Sequence, residues 1–130
     1  MKYMLIMQAT KAEFDSYRAW SPQDLKANIE FMRRFNKELT ESGEFVSTEG
    51  LAWPEQAKVV RARKDGPPAV TDGPFPEAKE FLAGYWIVDC ESPERAVEIA
   101  ARASAAPGPG GEIGMPIEVR QVMRSAEDLF

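Results

Sequence analysis

Histidine is missing from the 130 residues, and cysteine occurs once, at Cys90. The first absence removes the usual zinc sites and every catalytic arrangement built on an imidazole. The second excludes an internal disulfide and a thiolate metal site. No metal and no cofactor are expected. Long apolar runs are also missing: the longest uncharged one, Phe81 to Val88, has 8 residues, against about 20 for a membrane-spanning helix. The stretch Tyr3 to Met7 behind Lys2 is shorter than the roughly 7 to 15 apolar residues of a secretory signal, so a cytoplasmic protein with no membrane partner is expected. An excess of positive charge is lacking too. With 16 Lys and Arg against 21 Asp and Glu the formal charge is -5, the opposite of the footprint that binds phosphate backbones, and nucleic acid is not an expected partner.

What the sequence has is a hydrophobic content of 44%, enough for one domain over 1–130 to bury roughly two thirds of its unfolded surface. Of 9 glycines and 10 prolines, 13 fall in two windows, Gly66 to Pro76 and Pro107 to Pro116, which read as loops. Tyr3 to Ala9 is a predicted strand with two apolar faces, Tyr3/Leu5/Met7 and Met4/Ile6. Leu82 to Asp89 is another, with Leu82/Trp86/Val88 and Ala83/Tyr85/Ile87. Ser21-Pro22 and Ser92-Pro93 each announce a helix with a capping hydroxyl, a proline at the first position and an acidic residue in the first turn. The first helix carries Leu25, Ile29, Phe31, Met32, Phe35 or Asn36, and Leu39, and stops at Gly43. The second buries Ala96, Val97, Ala100 and Ala103. Phe45 to Leu51 and Lys58 to Lys64 read as partly solvated strands, and Ile117 to Met123 as a half-exposed closing strand.

This order, strand, helix, strand pair, strand, helix, strand, predicts an α+β fold of the ferredoxin-like βαββαβ type, an antiparallel sheet with two helices on one face. Its first and third core strands lie at the centre of the sheet, and those are the two segments apolar on both sides. Two helices cover only one face, so the other requires a second cover. The simplest is a second copy of the chain, and a homodimer is expected.

For chemistry, the distinctive stretch is Thr71 to Tyr85. Asp72-Gly73-Pro74 has turn chemistry, which by itself describes a structural turn delivering the chain into its central strand. The sharper reading makes it a ligand loop for a small molecule, with Asp72, Lys79 and Glu80 as polar groups beside Phe75, Tyr85 and Trp86. Cys90 has no histidine to activate it. Arg33-Arg34, Arg61 and Arg63 are a candidate anion grip or plain solvated surface.

Asp72-Gly73-Pro74-Phe75, Lys79-Glu80, Gly84-Tyr85, the methionine-rich strand Met4 to Met7 and the closing Ile117-Glu118-Val119-Arg120 resemble the YCII-related proteins, in particular the branch named for its Asp-Gly-Pro-Phe motif. The resemblance covers nearly the whole chain. It implies a ferredoxin-like fold of the dimeric α/β barrel type and leaves activity open. In the better-studied branch a His-Asp pair at the two ends of the first long helix has been proposed as an active site; the matching positions here are Asp24 and Glu41. Two function classes follow. One is a dimeric small-molecule-binding protein or acid-base enzyme, with Asp72, Lys79 and Glu80 as candidate catalytic groups. The other is a non-catalytic accessory or regulatory module working through protein contacts, as the association of such proteins with sigma-factor-type transcription regulators implies.

Overall fold

A computed structural model describes residues 1–129; Phe130, inside the expected single domain, lies outside the described residues. The elements are β1 (Lys2–Thr10), α1 (Lys11–Arg18), α2 (Pro22–Glu41), β2 (Phe45–Gly50), β3 (Lys58–Arg61), β4 (Ala69–Asp72), β5 (Glu80–Asp89), α3 (Pro93–Ala103) and β6 (Ile117–Gln121). Four strands form an antiparallel sheet in the order β2-β5-β1-β6, the ferredoxin-like arrangement. The two strands apolar on both sides hold its centre, running from Lys2 opposite Asp89 to Thr10 opposite Glu80. Among the described residues no helix is long and apolar enough to cross a membrane.

The core lies between the sheet and the long helices. Tyr3 and Leu5 of β1 and Trp86 and Val88 of β5 pack against Phe35 and Leu39 of α2 and Ala96, Ile99, Ala100 and Ala103 of α3. Trp86 meets Phe35 edge-on, with ring centroids 5.4 Å apart, and its indole N–H donates to Asn36 Oδ1 at 2.8 Å. This satisfies the single polar atom that so large a buried side chain carries. Ser21 and Ser92 cap their helices as the sequence predicts, by accepting from the amides of Asp24 and Arg95. The apolar stripes need two corrections. Val97 and Ile29 are exposed, whereas Ile99 is buried completely, because the 3.6-residue period through Ala96 and Ala100 admits Ile99 and turns Val97 outward.

Three further corrections bear on function. Lys58 to Lys64 does not enter the main sheet: its strand β3 pairs only with β4, which comes from the window expected to be loop. Its four residues, Ala-Val-Thr-Asp between Pro68 and Gly73, are too few to show a period. Helix α1 was not expected. It begins with a capping box in which Thr10 Oγ1 accepts from the Glu13 amide and Glu13 accepts from the Thr10 amide, a spacing present in the sequence. Finally, β1 and β5 slip by one residue between Met7 and Gln8, so Gln8 faces Leu82 rather than Ala83. A one-residue slip inverts side-chain direction, and it removes Leu82 from the Trp86 face, where simple alternation had placed it.

Helix α3 is tied to the start of β2 by a bidentate pair: Arg95 Nε and Nη2 donate to the two Glu44 carboxylate oxygens at 2.9 and 2.8 Å. The Arg95 guanidinium holds the Glu44 carboxyl below the range of an ordinary glutamate, against the opposing effect of burial. A depressed carboxylate pKa adds stability that is full above the unfolded value, about 4.3, and is lost as pH falls through the folded one. Glu44→Gln should therefore cost about 1 kcal/mol at neutral pH. The deficit should shrink toward zero as pH falls below about 4; denaturant unfolding of both proteins across a pH series checks this, and a deficit unchanged at low pH would contradict it.

Candidate functional site

The ribbon β3–β4 interrupts the path from β2 to β5, and its two ends determine what lies beside the sheet. The chain leaving β2 passes Leu51 and Trp53 into a short 3-10 turn, Pro54–Gln56, before β3. The chain leaving β4 passes Gly73, Pro74 and Phe75 into β5. Between these segments lies a cleft of about 490 Å³, lined by Leu51, Ala52, Trp53, Pro54, Gln56, Ala57, Pro74, Phe75, Ala78, Glu80, Phe81 and Leu82. This is the size of a small-molecule site, and its lining is mostly apolar, as such sites are. Leu82, 38% exposed, lines the cleft together with its neighbours Glu80 and Phe81.

The base of the ribbon fixes the two walls. Lys58 Nζ meets Asp72 Oδ1 at 2.6 Å, and the Gly73 amide donates to the Ala57 carbonyl at 2.7 Å. Gly73 has φ +86°, a backbone region costly for other residues. The Lys58 ammonium holds the Asp72 carboxyl below the usual carboxylate range. The first wall is held from behind by α1. Phe14 meets Trp53 edge-on at 5.9 Å, and the Arg18 guanidinium sits 4.1 Å from the centroid of the Trp53 ring while donating to Glu55 at 2.9 Å. The Glu55 carboxyl is lowered by its own backbone amide and then by Arg18. Gly84 lets β2 approach: a Cβ there would lie 2.8 Å from the Glu49 carbonyl oxygen and 2.9 Å from the Met7 methyl.

Of the residues expected to bind a ligand, Phe75 and Glu80 line the cleft and the other four do not. Asp72 is engaged with Lys58 at the ribbon base. Trp86 is 2% exposed and committed to the core, and alternation along β5 turns Tyr85 to the opposite face from it. Lys79 is exposed outside the lining. Asp24 and Glu41 lie about 25 Å apart along one helix and cannot act on one substrate atom together; Glu41 pairs with Lys37 at 3.9 Å. Cys90 is buried, which pushes its thiol pKa up, and it donates to the Ser92 carbonyl. Arg33 and Arg34 are exposed on α2, and the Arg61 guanidinium lies 6.0 Å from the Phe75 ring centroid. Among the described residues no group of three or more Cys, Asp or Glu side chains is placed to hold a metal ion, and no charged side chain is buried. Sequence reasoning missed Leu51, Trp53 and Gln56. The Trp53-Pro54 pair was visible, but nothing local connects it to Phe75.

Sheet order, helix placement and the inserted ribbon define an α+β, ferredoxin-like domain with an apolar cleft at the end of its sheet. The chain belongs to the YCII-related family: the model of the YCII-related domain matches residues 1–122. A similar protein is an uncharacterized protein of Rhizobium meliloti (strain 1021), 30% identical over 82 residues, which are 63% of this chain and 65% of that one.

Two substitutions separate the roles at the ribbon base. Gly73→Val places a β-branched side chain at positive φ and should cost about 1 to 3 kcal/mol. Asp72→Ala removes one fully exposed ion pair and should cost well under that. Denaturation midpoints of the two variants make the comparison, and equal midpoints would refute the strained-turn assignment.

Proposed function

We propose that this protein is a cytoplasmic homodimer that binds a small, largely apolar molecule in the cleft between the segments 51–57 and 74–82. The observation that carries the reading is the cleft itself, with aromatic and aliphatic walls held in place by the Lys58–Asp72 pair, the Gly73 turn and the stacked Arg18 and Trp53. Fixed walls lower the ordering cost of binding. In this reading the Asp-Gly-Pro-Phe motif of the resembling branch divides its work: Asp72 and Gly73 set the wall, and Phe75 meets the ligand. Binding is favoured over acid-base catalysis because Glu80 is the single ionisable residue of the lining, and acid-base chemistry by paired carboxylates needs two groups with separated pKa values. The dimer is supported by the sheet face turned away from α2 and α3. There Met4 lies opposite Ile87 and Ile6 opposite Tyr85; Ile6 is buried within the single chain, and Met4, Tyr85 and Ile87 around it are half-buried apolar side chains that a second copy would cover.

A second reading, an accessory module working through protein contacts, is favoured by one observation. Val60 and Val70 are cross-strand partners on the β3–β4 ribbon and are 60% and 52% exposed.

A thermal-shift screen of apolar fragments against the wild type, Phe75→Ala and Leu51→Ala discriminates the two. Fragments that stabilise the wild type should lose about fivefold in affinity in the variants, the equivalent of about 1 kcal/mol of lost apolar contact. A screen without hits, or hits indifferent to both substitutions, would remove the small-molecule reading and leave the accessory one.

A further inference from the structure

The cleft carries a charge asymmetry that narrows its ligand. Its lining includes three aromatic side chains, Trp53, Phe75 and Phe81, and its one ionisable group is Glu80. The other carboxylates beside the walls are already neutralised, Glu55 by Arg18 and Asp72 by Lys58. Glu80 has no ion-pair partner within 4.0 Å among the described residues, since none of the ion pairs includes it. No lysine or arginine belongs to the lining; the Arg18 guanidinium lies 4.1 Å from the Trp53 ring centroid and is paired with Glu55, and the Arg61 guanidinium lies 6.0 Å from the Phe75 ring centroid. The chain as a whole is at -5, which raises the local concentration of cations and lowers that of anions.

Resting on the cleft as the binding site, we propose that it selects an organic cation: an apolar ring body seated between the walls, with an ammonium group directed to Glu80. A carboxylate or phosphate on the same body would face the Glu80 charge, which is unfavourable. A neutral body would gain only the apolar contact.

Three probes with one ring system and different charge test this: tryptamine, 3-methylindole and indole-3-acetate, titrated calorimetrically into the wild type, Glu80→Gln and Glu80→Asp. Tryptamine should bind the wild type about fivefold more tightly than 3-methylindole, the size expected of one partly exposed ion pair, and indole-3-acetate should bind most weakly. In Glu80→Gln the tryptamine affinity should fall to that of 3-methylindole while the latter stays unchanged. Glu80→Asp, which keeps the charge, should retain part of the preference and shows that loss in Glu80→Gln is not unfolding. Equal affinities in the wild type, or a preference that survives Glu80→Gln, would overturn the cation assignment while leaving the cleft as a binding site. Failure of all three probes to bind would overturn both.

Discussion

The antiparallel pairing of β1 with β5 is the constraint from which the rest follows. Both strands are apolar in two directions, so they can only occupy the middle of a sheet, and the flanking positions then fall to β2 and β6. Leu5, Trp86 and Val88 on one side demand cover, which α2 and α3 supply through Phe35, Leu39 and the small residues of α3. Alanines at 96, 100 and 103 let α3 lie close to the sheet, and burial of the large side chains at about 25 cal/mol per Å² provides the main driving force. The same pairing contains the slip at Met7/Gln8, which sets Leu82 opposite Gln8 and away from the Trp86 face.

The cleft is a consequence of the ribbon inserted before β5. An isolated two-stranded ribbon is marginally stable on its own, and here its base is closed by an ion pair and a backbone bond between residues at its two ends. Closing the base brings the segments 51–57 and 74–82 together. The charged residues near the cleft mostly serve this scaffold: Asp72 and Glu55 are bonded to Lys58 and Arg18, and Glu80 is the one ionisable residue of the lining.

Much of the fold was legible in the sequence because its signals are local. Two-faced apolar strands read as central, and Ser21-Pro22 and Ser92-Pro93 read as helix starts, each confirmed by a side-chain cap. The misses have physical causes. Leu82 changed face at a slip that depends on its partner strand, which no period within β5 reveals. Strand β4 is four residues between breakers, and α1 had its capping box at Thr10 and Glu13 but too short an apolar pattern to draw notice. At the site, Phe75 and Glu80 were legible because they follow the Asp72-Gly73-Pro74 turn directly. Trp53 was not, because its proximity to Phe75 is created by ribbon closure. Asp72 looked like a ligand group and is bonded to a lysine 14 residues earlier.

The sheet face turned away from the long helices holds the claim on which the account most depends, since Met4, Tyr85 and Ile87, which surround the buried Ile6, are only half-buried in a single chain. An apolar face of this kind is expected to be closed by a second copy in a two-fold arrangement. Ile87 is half-buried in a single chain, so a charge placed there burdens the association more than the fold. Light scattering on the wild type and Ile87→Asp at micromolar concentration is the most direct measurement. The account predicts a dimer mass for the wild type and a folded monomer for the variant, because an unpaired charge in a closed interface costs several kcal/mol. A wild type that stays monomeric, or a variant that remains a dimer, would contradict it.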